Sequence, residues 1–266
     1  VGNFASTDKV AAVAAVGANG PVIGLVLNLF IGIALGANVV IANAIGRGDR
    51  ETVSKAVHTS IVASVVGGFI VMLIGQALAK PVLLMLNVPD EVFPLAMKYM
   101  RIYLVGMPVI LLYNFESAIF RSAGDTKTPL LALAISGVLN VILNIFFVTV
   151  LDMAVDGVAV ATVIANAVSS AILGVKLIKS ELSICVELKL LRVDWKILLR
   201  ILKIGLPAGI QSAVFSLSNI IISSAINSLG KVTMAASSAA FNVEIVAYYI
   251  LNSFGQACTT FVSQNY

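Results

Sequence analysis

Apolar residues run in long uninterrupted stretches, and the polar positions gather between them in short clusters. The chain shows no apolar-polar alternation of the kind that a lipid-facing strand requires. Stretches with little or no charge cover 10–46, 56–79, 102–120, 128–151, 157–175, 204–230 and 232–266. Each reaches or approaches the roughly 20 residues that a helix needs to cross a hydrocarbon core of about 30 Å. The pattern predicts seven spans and an all-α fold, a polytopic membrane helix bundle. Two runs exceed one crossing, so part of each must tilt, kink or lie outside the bilayer. Gly20-Pro21 is expected to mark the start of the first crossing.

Composition agrees with this pattern: 59% of residues are hydrophobic, 11% are charged and the mean hydropathy is +1.03, whereas about a quarter of a soluble domain is charged. Placing residue 1 outside leaves Lys9, Lys80, Lys98, Arg101 and Lys231 as the outer cations, and the other twelve of the 17 Lys and Arg, from Arg47 to Lys203, inside. Insertion retains basic loops on the cytoplasmic side, which fixes this orientation and reads the net charge of +4 as loop bias. No basic cluster combines with exposed aromatics, so a nucleic-acid partner is not expected. Cys185, Cys258 and the single His58 have neither disulfide nor metal-ligand spacing. The chain starts with Val and ends within an apolar run, and so reads as part of a longer protein.

The one long polar segment divides five spans from two and gives a first lobe at 1–178, a linker at 179–203 and the start of a second lobe at 204–266. Within the linker, DWKILLRILK (194–203) reads as an amphipathic helix in the cytoplasmic interface or as a plain connector. STDKVAAVAAVGANGP (6–21) before this boundary and SLGKVTMAASSAAFNV (228–243) after it align Lys9-Val10 with Lys231-Val232. GANVVIANAI (36–45) and ACTTFVSQNY (257–266) follow at nearly the same offset. The two copies cross in the same direction, as in transporters built from parallel repeats, and predict two pseudo-symmetric lobes. Gly32 and Gly36 form a GxxxG step suited to close helix packing.

FRSAGDTKTP (120–129), between two spans, is the most specific local signature, with Gly124-Asp125 forming a turn and Pro129 starting the next helix. Together with LNLFIGIALGANVVIANAIGRGD (27–49), LNVILN (139–144), GVAVATVIA (157–165), IGLPAGIQS (204–212) and FVSQNY (261–266) it resembles the multidrug and toxic compound extrusion (MATE) family over essentially the whole chain. The resemblance implies twelve helices in two six-helix lobes around a central cavity, with this chain supplying helices two to eight.

Polar groups inside the runs are the candidate site, because an unpaired amide or charge is costly in hydrocarbon. Asn140 and Asn144, four residues apart, share a face of the fourth span, with Asn114 and Thr162 as available partners on the third and fifth. The resemblance places at Asn114, Asn140, Asn144 and Thr162 a cluster that binds a proton or cation in the family's archaeal members. Where that site titrates, an aspartate stands at the position of Asn144. The amides here suit Na⁺, substrate hydrogen bonds or interhelical packing. Glu116, five residues from Arg121, is expected to snorkel or pair with a basic neighbour near the cytoplasmic mouth. Glu244 is thirteen residues beyond Lys231 and so about 20 Å deep, where a carboxylate needs a partner, water or a cation. The NorM-like branch carries its glutamate on the preceding helix, where Phe215 and Ser216 stand here.

The expected function is a secondary antiporter in the cell membrane that exports amphipathic, often cationic, drugs or toxic compounds in exchange for Na⁺ or H⁺. It would bind no cofactor beyond the coupling ion, act as a monomer in the lipid bilayer and have no enzymatic activity. The alternatives are a lipid-linked sugar flippase, which a strongly cationic cavity would favour, and a non-transporting membrane scaffold.

Overall fold

The apolar runs fold as helices, and no strand forms among the described residues. The computed structural model describes residues 9–86, 88–180, 183–228 and 231–266. Ser6–Asp8 of the first repeat and Gly230 at the end of the sixth run lie outside them. In chain order the helices are α1 (Lys9–Gly46), α2 (Arg50–Met85), α3 (Phe93–Val105), α4 (Met107–Ser122), α5 (Lys127–Thr149), α6 (Val155–Ile178), α7 (Trp195–Ser228) and α8 (Lys231–Asn265). The described residues of the two repeat copies lie on α1 and α8. Five helices, α1, α2, α5, α6 and α7, are long and apolar enough to cross a membrane alone, and α3 with α4 makes a sixth span bent by 50°. α8 covers the seventh run and is richer in Ser, Thr, Asn and Gln.

Two expectations change. The third span starts at Phe93, so Lys98 and Arg101 stand on α3 and not in an outer loop. The break falls at Gly106, followed by Met107-Pro108 at the start of α4, where proline lacks the N–H that would continue the α3 ladder. Gly20-Pro21 lies inside α1, which runs through Pro21 over 38 residues; membrane helices tolerate such a proline when neighbouring groups satisfy the freed carbonyl. Residues 195–203 are neither a separate interfacial helix nor a plain connector but the opening turns of α7, with Ile197 and Ile201 buried and Trp195 exposed.

One cluster of buried side chains joins α1, α2, α4, α6 and the α7 start around Ile41, Phe115, Ile119, Leu173 and Ile201. A second joins α1, α2, α3, α4 and α6 around Leu83, Met100, Met107 and Ile110. Outward-facing apolar residues such as Leu73, Leu130, Val138 and Ile221 are exposed, as lipid-facing positions must be.

The basic helix ends collect at one end of the bundle. Gln264 near the end of α8 donates to the Ser122 carbonyl at the end of α4 (2.7 Å), and the Asp194 N–H before α7 donates to Thr59 Oγ1 near the start of α2 (3.0 Å). Two turns there follow the same recipe. Gly48 and Gly124 hold φ of +69° and +83°, which favours glycine, and the next residue caps the following helix. Asp49 accepts from the N–H and hydroxyl of Thr52, and Asp125 accepts from the N–H of Thr128. The Thr52 hydroxyl and N–H hold the Asp49 carboxyl below its ordinary range. Burial pushes Asp125 upward, but the hydrogen bonds of Thr128 and Lys127 outweigh it and the net shift is down.

Candidate functional site

Two seams bring the chain's polar groups together. The first joins α1 to α7 and α8. Gly32 and Gly36 of α1 face Gly205 and Gly209 of α7 so closely that a Cβ added to Gly32 would lie 2.2 Å from the Gly209 Cα, and one added to Gly36 would lie 2.3 Å from the Ile201 carbonyl. The GxxxG step is thus a packing device, as its spacing predicts, and its partner is a second GxxxG step in IGLPAG. Asparagines flank it. Asn28 donates to Ser216 Oγ (2.9 Å), and buried Asn38 donates to the Ala118 carbonyl (3.2 Å) while its Oδ1 accepts from Thr260 (3.2 Å). Asn43 donates to the Ser263 carbonyl (3.3 Å).

The second seam lies among α4, α5 and α6. Asn144 donates to Asn140 Oδ1 (2.9 Å), so the amides four residues apart do pair. Asn144 Oδ1 is buried and without a hydrogen-bond partner. Asn114 donates to the Ile110 carbonyl on its own helix, Thr162 to Val158, and Asn166 to Thr162. All these groups are half-buried, but among the described residues no hydrogen bond ties Asn114 or Thr162 to the amide pair. Ser169 of α6 donates to Ser136 of α5 and to the Ala132 carbonyl and holds the two helices together.

Glu116 departs from its expectation. It neither snorkels nor pairs with a base: it is 3% exposed and accepts a hydrogen bond from Ser170 Oγ of α6 at 2.7 Å. Gly174 makes room for it, since a Cβ there would lie 3.1 Å from Glu116 Oε1. A position close to Arg121 in sequence does not determine which neighbour a helix side chain meets, and α4 turns Glu116 toward α6.

Glu244 is exposed on α8. Tyr248, one turn further on and therefore on the same face, stacks on Phe215 of α7 with ring centroids 6.0 Å apart and planes 5° from parallel. Phe215, which with Ser216 stands in the neighbourhood where the NorM-like branch is expected to carry its glutamate, is one member of this aromatic pair. The side chain of Asn242, a further polar group of α8, lies outside the described residues.

Sequence reasoning missed the use of His58. Its Nδ1 lies 2.7 Å from the Ser54 carbonyl, and its Nε2 accepts from the Glu187 N–H at 3.0 Å. With Thr59 it fastens the segment between α6 and α7 to α2.

A profile of the MatE family matches residues 3–146 and 207–266. The probable multidrug resistance protein YoeA of Bacillus subtilis is 29% identical over 274 residues, covering 100% of this chain and 58% of YoeA. YpnP of the same organism, also named a probable multidrug resistance protein, is 30% identical over 76% of this chain and 47% of its own length. A crystal structure of a MATE protein in a bent conformation superposes with a TM-score of 0.86 at 26% identity, over 96% of this chain and 56% of that one. The chain therefore spans about half of each relative's length.

Proposed function

The chain belongs to the MatE family, and we propose that it forms most of one lobe (1–178), the linker (179–203) and the opening of the second lobe (from 204) of a secondary antiporter. On this reading the antiporter exports amphipathic, often cationic, compounds in exchange for Na⁺ or H⁺ as one lobe rocks against the other. Family membership alone does not fix a substrate. The observation that carries the reading is Glu244 one turn from the Phe215–Tyr248 stack. A carboxylate beside an aromatic face is the pairing that receives a flat organic cation, the acid matching its charge and the rings its apolar body. The names of YoeA and YpnP, multidrug resistance proteins, agree with it.

Asn144 supports Na⁺ over H⁺ as the coupling ion within the first lobe. An amide takes up no proton, and its buried, unpartnered Oδ1 is a hard oxygen of the kind that an alkali cation accepts as a ligand. The flippase alternative calls for a strongly cationic central cavity, whereas the cations that line a cavity here, Arg47, Arg200 and Lys203, stand at helix ends.

The test is efflux of a cationic dye from proteoliposomes containing the full transporter, driven in turn by a Na⁺ and a pH gradient. Glu244→Gln keeps size and hydrogen bonding and removes charge, so dye efflux should fall at least tenfold with expression and melting temperature near wild type. Unchanged efflux in Glu244→Gln would sink the reading.

A further inference from the structure

Where α1, α7 and α8 meet at the basic end of the bundle, a cavity of about 370 Å³ is lined by Arg47, Thr52, Arg200 and Lys203 and, among the described residues, by no Asp or Glu side chain. Arg200 and Lys203, three residues apart on α7, share a face. Arg47 is held from α1 by a hydrogen bond from its guanidinium to Asn43 Oδ1, and Asn43 is in turn anchored to the Ser263 carbonyl of α8. One acid stands at the edge of the cavity: Asp49 accepts two hydrogen bonds from Thr52, which lines the cavity, and is drawn on by the charge of Arg47, whereas Glu51 pairs with Lys55 at 2.6 Å. Val39, Val40, Ile204 and Val262 form an apolar wall behind the cations.

We propose that this cavity binds a phosphate-bearing anion. Three cations on one cavity, against the single carboxylate of Asp49 at its edge, leave an excess of positive charge that phosphate oxygens match best, meeting a fork-shaped guanidinium and an ammonium. Basic pockets between helices at a membrane's cytoplasmic face are suited to phosphate headgroups, and the apolar wall suits what such a group is attached to. Because Arg47 follows directly on the end of α1 and the other two stand on α7, a bound phosphate bridges the glycine seam between those helices. The site is separate from Glu244 and from the amide pair, so its failure would leave the antiporter reading intact.

The ligand has two possible sources, a lipid headgroup or a soluble phosphate, and two arms separate them. In the first, the purified full transporter in detergent is titrated with phosphatidylglycerol and, as reference, phosphatidylcholine, and bound lipid is counted by native mass spectrometry. In the second, inorganic phosphate is titrated against chloride at equal ionic strength and binding is read from the melting temperature. Each basic residue near a phosphate is worth about fivefold in affinity, so Arg200→Gln/Lys203→Gln should weaken binding about 30-fold in the arm that carries the true ligand. Lys179→Gln/Lys189→Gln removes the same charge away from the cavity and should change binding less than about threefold. Both pairs are exposed, which spares the fold. A response in the first arm alone identifies a lipid, and in the second alone a soluble anion. The proposal is overturned if the cavity variant binds like wild type in both arms, or if the control pair loses as much affinity as the cavity pair.

Discussion

The glycine seam predicts opposite signs for one chemical change at two places. In Gly32→Ala the new methyl would sit 2.2 Å from the Gly209 Cα and nitrogen and 2.9 Å from the Ala208 carbonyl carbon. Carbon atoms rest about 3.5–4.0 Å apart, so α1 and α7 must separate by more than 1 Å or slide. All three obstructing atoms are backbone, and none can swing aside as a flexible side chain would. Overpacking of this kind costs about 1–3 kcal/mol, against a gain of about 0.8–1 kcal/mol from replacing a helical glycine, so a net loss remains. Gly137→Ala on α5 makes the same change where nothing lies within 4 Å of the new Cβ, so only the gain remains. At about 2–4 °C per kcal/mol, Gly32→Ala should melt several degrees below wild type in detergent and Gly137→Ala at or above it. Both are read on the full transporter by the loss of monodisperse protein on heating. Equal melting temperatures for Gly32→Ala and wild type, or a larger loss in Gly137→Ala, would refute the close approach of α1 and α7.

Two more outcomes follow from buried and capping carboxylates. Glu116→Gln should melt at or above wild type, because an amide meets Ser170 as well as a carboxylate does and burying a neutral group costs less than burying a charge. Glu116→Ala, which leaves a cavity and an unpaired Ser170, should lose about 2–4 kcal/mol, and a matching loss in Glu116→Gln would reveal an unseen cationic partner. Asp125→Ala should cost about 1 kcal/mol at neutral pH through the lost helix cap. Because folding lowers the Asp125 pKa below 3.8, the wild-type advantage should be complete above about pH 4 and shrink as acidification passes through the folded value. An advantage that persists unchanged at lower pH would remove the ionised cap from the argument.

What could be read from the sequence depended on how local its cause is. Helix positions were legible because an apolar run in a bilayer has no alternative to helix, whatever it packs against. The Asn140–Asn144 pair was legible because a four-residue spacing is set by the helix itself. The bend at Gly106 also left a local trace, a glycine two residues before Pro108, but the apolar run through it outweighed that trace and Lys98 and Arg101 were placed in a loop. The partner of Glu116 left no trace, since Ser170 is 54 residues away and which helix packs against which is not written in local spacing. His58 was missed for the same reason, as Glu187 is 129 residues distant. The second glycine step at Gly205 and Gly209 was present in the spacing of IGLPAG and would have identified the partner of Gly32 and Gly36.

The position of the glycines along α1 bears on how two lobes joined here would move. Added Cβ atoms at Gly32, Gly36 and Gly46 meet backbone of α7 or α8, at 1.7 Å for Gly46 against the Gln264 carbonyl, whereas at Gly17, Gly20 and Gly24 they meet nothing within 4 Å. Among the described residues, the tight glycine contacts of this seam therefore lie in its half toward Arg47. Opening the basic end requires those backbone contacts, and the Asn38–Thr260 bond among them, to part. A rocking mechanism would thus store its resistance in that half of the seam, and a side chain added there would weaken the shut arrangement more than the open one. On this argument the variant that melts early, Gly32→Ala, should also let reagents reach a cysteine placed at Ser263 more readily than in wild type. Gly137→Ala, outside the seam, should leave that reactivity unchanged.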